Sequence, residues 1–113
     1  MTNFGSDTVT KVRASDGANI WVANHYDDTV TKLWASDGNL QGTFNVGASP
    51  NAVAFDGANI WVGNYSDWTV TKLRASDGVV QGTFNVGSCP HSVAFDGANI
   101  WVTNDGDNTV TKL

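Results

Sequence analysis

The sequence predicts an all-β fold made of about three β-propeller blades, each a four-stranded antiparallel meander, and three observations carry that prediction. The first is a repeat: Thr-Val-Thr-Lys stands at 29–32, 69–72 and 109–112, and Asp-Gly-Ala-Asn-Ile-Trp-Val at 16–22, 56–62 and 96–102, with a period of 40 residues in both strings. The second is that every one of the 11 acidic residues is Asp, with 12 Gly besides. Asp and Gly populate turns, whereas Glu is a residue of exposed helix surfaces. The third is that each repeat divides into four strand-length runs of β-branched and aromatic residues separated by turn signals.

The unit from Asn51 shows the elements in order. Strand A is Ala52 to Phe55, turned by Asp56-Gly57; strand B is Asn59 to Gly63; strand C is Thr69 to Leu73; strand D is Val79 to Val86. Strands C and D meet through Ala75-Ser76-Asp77-Gly78, whose Asp-Gly pair suits a tight hairpin. Gly87-Ser88-Cys89-Pro90 then breaks the pattern and carries the chain to the next unit. Ile60-Trp61-Val62 and Val53-Ala54-Phe55 are apolar without a break, so the sheets should be covered on both faces, as they are when blades stack around an axis. A sandwich would show an alternating wet face. A β-helix would need shorter coils.

The first unit is irregular. An additional Thr-Val-Thr-Lys at 8–11 precedes the next copy by 21 residues, and Ala14-Ser15-Asp16-Gly17 runs straight into a strand-B sequence. Hairpin geometry then puts Thr8–Arg13 antiparallel to strand B at 19–23, in the place of a strand A. As one segment over 1–113, the chain divides into blades at 8–46, 51–86 and 92–113, the last without a strand D, and 1–7 is left to complete a neighbouring blade. Three blades do not close a ring. Two chains would supply six and three chains nine, and six lies inside the usual range of four to eight, so a homodimer is expected ahead of a homotrimer. The near identity of the repeats fits a recent duplication, a designed chain or a fragment.

The Ile-Trp-Val-Thr-Asn run at 100–104, the following Thr-Val-Thr-Lys-Leu and Pro-x-x-Val-Ala-Phe-Asp-Gly at 90–97 resemble the YVTN and NHL-type β-propeller repeats of bacteria and archaea. The resemblance implies the architecture. It implies little about function, because such repeats occur in lyases, surface proteins and interaction scaffolds alike. The streptogramin-lyase-like branch uses histidines and a magnesium ion, but no motif in this sequence carries those residues over.

Composition narrows the partners. Six basic against 11 acidic residues give a net charge of -5, which disfavours nucleic acid and anionic membrane. Cys89 is the single cysteine, so neither an intrachain disulfide nor a cysteine-based zinc site is expected. The sequence shows neither a signal peptide nor an apolar span of membrane length, and a soluble chain of unassigned compartment is expected.

Comparison of the copies shows where function could sit. The B–C loops read His25-Tyr26-Asp27-Asp28, Tyr65-Ser66-Asp67-Trp68 and Asp105-Gly106-Asp107-Asn108, and the D–A connections Ala48-Ser49-Pro50-Asn51 and Ser88-Cys89-Pro90-His91. Both emerge on one rim, and there His25, Tyr26, Tyr65, Trp68 and His91 are the candidate ligand-binding residues for a small molecule or glycan. Lys11 and Arg13, in the substituted inner strand, are candidates for an anion near the axis. Cys-Pro-His at 89–91 has no metal-ligand spacing, and the Asp-Gly-Asp-Asn run lacks the Gly and distal Glu of a calcium loop. Without paired catalytic carboxylates, a phosphate-binding loop or a nucleophile elbow, the expectation is a non-enzymatic module needing no cofactor or metal, self-assembling as a scaffold or binding platform. A lectin-like or small-ligand-binding propeller is the alternative, and a streptogramin-lyase-like enzyme a more distant one.

Overall fold

The computed structural model describes the backbone of Ala14–Ser15 and all of residues 18–113. Among them are eleven strands and no helix: β1 (Ala14–Ser15), β2 (Asn19–Asn24), β3 (Thr29–Trp34), β4 (Leu40–Asn45), β5 (Pro50–Phe55), β6 (Asn59–Asn64), β7 (Thr69–Arg74), β8 (Val80–Asn85), β9 (Pro90–Phe95), β10 (Ile100–Asn104) and β11 (Thr109–Lys112). They form three antiparallel meanders, β1-β2-β3-β4, β5-β6-β7-β8 and β9-β10-β11. No described helix is long and apolar enough to cross a membrane.

The register assigns each side chain to a face. Trp61 pairs with Lys72, Gly63 with Val70, and Val70 with Phe84, so Trp61, Gly63, Val70, Lys72 and Phe84 share one face, here called the Trp face. Ile60, Val62, Asn64, Thr71 and Leu73 occupy the other, because successive strand residues alternate sides.

The first and second blades each turn their Trp face to the opposite face of the next. Trp21, Ala23 and Val30 of the first sheet pack with Val53, Ile60, Val62, Leu73 and Ala75 of the second. Trp61 and Val70 of the second pack with Ile100 and Val102 of the third, flanked by Val93 and Leu113. The approach is close: a Cβ on Gly63 would stand 3.2 Å from Val93 Cγ2. The middle sheet is thus covered on both faces, as its uninterrupted apolar runs require.

Polar groups repeat with the same period. Asn64 donates through Nδ2 to Thr69 Oγ1 and Thr71 Oγ1 at 3.1 and 2.9 Å, while its Oδ1 accepts from Gly47 N of the preceding connection at 3.2 Å. Asn24 and Asn104 donate to their own Thr pairs in the same way. Lys32 Nζ lies 5.5 Å from the centre of the Trp21 ring and donates to Ser76 O of the next blade at 3.0 Å. This repeated Lys on Trp supplies a cation–π contact at each blade.

At the seam, Ala14 pairs with Trp21 and Ser15 with Ile20, as Ala54 pairs with Trp61 and Phe55 with Ile60 in the regular sheet. A strand-A place is therefore filled by sequence that follows a C-type string. Thr8–Arg13 lies outside the described residues.

Candidate functional site

The B–C loops and D–A connections share one rim because a meander returns to the same side after every second strand. Their backbones hold one another. Ser49 N donates to Asp28 Oδ1 at 2.9 Å, Ala48 N to Asp67 Oδ2 at 2.8 Å, and Ser88 N to Asp107 Oδ2 at 3.1 Å. Tyr65 N and Asp105 N donate to Ser49 O and Cys89 O. Asp67 and Asp107 thus tie a connection to the loop of the following blade.

On this rim a cavity of about 390 Å³ is lined by His25, Asn51, Tyr65, Ser66, His91 and Asp105. All three blades contribute. His25, Tyr65 and Asp105 are equivalent residues, each directly after the last Asn of a second strand, and Asn51 and His91 are equivalent second residues of β5 and β9. The frame therefore projects the same positions inward while the sequence fills them differently.

The chemistry of the lining is mixed and rich in acceptors. Asn51 Oδ1 is buried and accepts no hydrogen bond. Ser66 Oγ donates to Ser49 Oγ at 2.8 Å, leaving its lone pairs available. The Tyr65 hydroxyl is held above its ordinary pKa, first by its hydrogen bond to the Cys89 side chain, then by the charge of Cys89 and by burial, and least by the charge of Asp105. Tyr65 thus stays a neutral hydroxyl beside a carboxylate.

Of the residues singled out from sequence, the structure brings His25, Tyr65 and His91 together and adds Asn51, Ser66 and Asp105. Tyr26 and Trp68 do not line the cavity; both are exposed, and Tyr26 meets the edge of the His25 ring with centroids 4.8 Å apart. Lys11 and Arg13 lie outside the described residues. Asn51 and Asp105 carry a signal in the sequence, since each differs from its counterparts in the other copies, but Asn and Asp are also common turn residues. Among the described residues no group of three or more His, Cys, Asp or Glu side chains could hold a metal. Asp107, in the calcium-loop-like run, instead accepts from Thr109 Oγ1 and Ser88 N.

No family model and no curated protein matches this sequence. Among solved structures, the chain is similar to hydrazine synthase of Kuenenia stuttgartiensis, with a TM-score of 0.82 and 21% identity over 96% of this chain and 35% of that one. It is also similar to U3-55K, with a TM-score of 0.66 and 11% identity over 89% of this chain and 35% of that one. The chain thus spans about a third of the length of either structure. Both neighbours contain propellers, and at these identities the likeness establishes the propeller-like all-β fold alone.

Proposed function

We propose that the chain is a YVTN/NHL-type propeller module that completes a ring by head-to-tail association of identical copies and acts as a scaffold. The carrying observation is the unpaired Trp face of the third blade. Val30 and Val70 are 0% exposed whereas their equivalent Val110 is 59% exposed, and Trp101 is 39% exposed against 0% for Trp21 and 8% for Trp61. On the opposite face of the first blade Val22 is buried, but the surface around it is more exposed than in the second blade. Ile20, Leu33 and Ala35 are each more exposed than their equivalents Ile60, Leu73 and Ala75, which are nearly sealed.

These surfaces already fit each other inside the chain. The Trp face of blade 1 docks on the Ile-Val face of blade 2, and blade 2 repeats the contact on blade 3. Because the blades are near copies, the Trp101–Val110 face matches the Ile20–Leu33 face of a second chain, with Lys112 in the role of Lys32 and Ser36 in that of Ser76. Such contacts are heterologous, so they close only when the turn per copy completes a circle. Two copies of three sheets give six blades, within the common four to eight.

A charge placed in this face tests the reading. Val110→Asp should shift a dimer to a particle of 12.0 kDa, while Val79→Asp, at a residue 50% exposed beside the Asp77-Gly78 turn, should leave assembly unchanged. Equal behaviour of the two variants would contradict the proposed interface.

A further inference from the structure

We propose that the rim cavity is a binding site for a small primary ammonium compound, held by the Asp105 carboxylate, the Asn51 side-chain carbonyl and the Tyr65 ring. The site uses residues of one chain only, so it stands independently of ring closure.

Three properties of the lining select this ligand class. Asn51 Oδ1 is buried with no donor, and a buried acceptor left unpaired costs about 1–3 kcal/mol. A ligand that draws this oxygen round into the cavity Asn51 lines, and donates to it there, removes that penalty. The Asp105 carboxylate takes no basic partner among the described residues, whose ion pair is Arg74 with Asp77 at 2.9 Å. An ammonium offers three N–H donors and a positive charge, matching the carbonyl and the carboxylate together. The Tyr65 ring, with its hydroxyl held protonated, adds an apolar wall and a π face for the cation.

Other small ligands match less of the lining. An inorganic anion or free carboxylate could take a hydrogen bond from His25 or His91, but it would meet Asp105 and an unpaired carbonyl with no lysine or arginine in the lining. A divalent metal would need a convergent set of ligands that the described residues do not form. A neutral sugar would donate hydroxyls to Asn51 and Asp105 but bring no positive charge to offset the carboxylate. The cavity of about 390 Å³ lies at the small end of ligand sites, which run from roughly 300 to 1,000 Å³. It has room for a small amine, and the chain's net charge of -5 draws cations toward it.

The test is a titration of the full chain with ethanolamine hydrochloride at pH 7, followed by side-chain amide NMR of Asn51, with glucose, sodium acetate and zinc chloride as comparison probes. Saturable ethanolamine binding with a shifted Asn51 amide is expected, weakened at least tenfold in Asp105→Asn. Asp37→Asn removes the same charge in an exposed turn remote in sequence from the rim and should bind as the parent does. A parallel loss in both variants would reduce the effect to the general field of the protein and overturn the site. Preferential response to glucose, acetate or zinc, or no saturable ethanolamine response, would overturn the ligand class.

Discussion

Single residues show where an otherwise repeated frame is strained and where charge supports it. Trp68 has φ of 58°, in the left-handed region, where its counterparts are Asp28 and Asn108. Asp and Asn tolerate that region; a bulky aromatic adopts it at a cost. Asp28 also accepts from Ser49 N, a contact Trp68 cannot offer to Cys89 N. Trp68→Asp is therefore expected to stabilise the chain by ~1 kcal/mol, raising Tm by a few degrees in a melting experiment, and to leave ethanolamine binding unaltered. A lower Tm would contradict this account of the turn. A second prediction concerns acid. Asp96 accepts from Trp101 Nε1 at 2.6 Å and from Asn99 N and Ala98 N, which together lower its pKa to about 2. Asp56 makes the same bonds to Trp61, Ala58 and Asn59 but is partly buried; desolvation opposes the lowering, and the hydrogen bonds outweigh it. A carboxyl depressed on folding stabilises fully above its unfolded value of 3.8 and loses that contribution as pH falls through about 2. Melting curves of the parent and Asp96→Asn should accordingly differ at pH 5 and converge as the pH approaches 2; a gap independent of pH would contradict the carboxylate's role.

At the scale of elements, the turns specify how one sheet seats on the next. Gly38 and Gly78 both have φ of +76°, a conformation strained for any side chain. They differ in surroundings: a Cβ at Gly78 would stand 2.3 Å from Phe44 Cζ, while nothing lies within 4 Å of one at Gly38. Gly38→Ala should thus lose about 1 kcal/mol from the backbone alone, and Gly78→Ala clearly more, because the Phe44 ring that bridges blades must move. Chemical denaturation of both variants measures the difference, and equal losses would show that Phe44 yields freely. Much of this level was legible in the sequence. Strand B, expected at Asn59 to Gly63, forms as Asn59–Asn64, and strand C, expected at Thr69 to Leu73, forms as Thr69–Arg74, because their turns are written in Asp and Gly. The rim was legible as a set of variable positions, which brought out His25, Tyr65 and His91. The contributions of Asn51 and Asp105 depend on how neighbouring blades converge, which no single repeat contains. Trp68, singled out by its aromatic character, is exposed and does not line this cavity.

For the whole molecule, the repeated contact between blades organises the fold and is the contact proposed for assembly. The interfaces on either side of the middle blade bury Val30, Ile60, Leu73, Val70 and Val102 completely, and each large aliphatic side chain so buried contributes about 1.5–3 kcal/mol. A third copy of that interface, formed between chains, would seal Val110 and Trp101 against Ile20 and Leu33. The seam at Ala14–Ser15 fits this view, because a strand-A place at the edge of the first sheet is filled. The most direct test of head-to-tail assembly is the solution mass of the unaltered chain, measured by light scattering during size exclusion at micromolar concentration. The account predicts a homodimer at twice 12.0 kDa, with a homotrimer as the other ring the same contact could close; a compact, stable monomer of 12.0 kDa would contradict it.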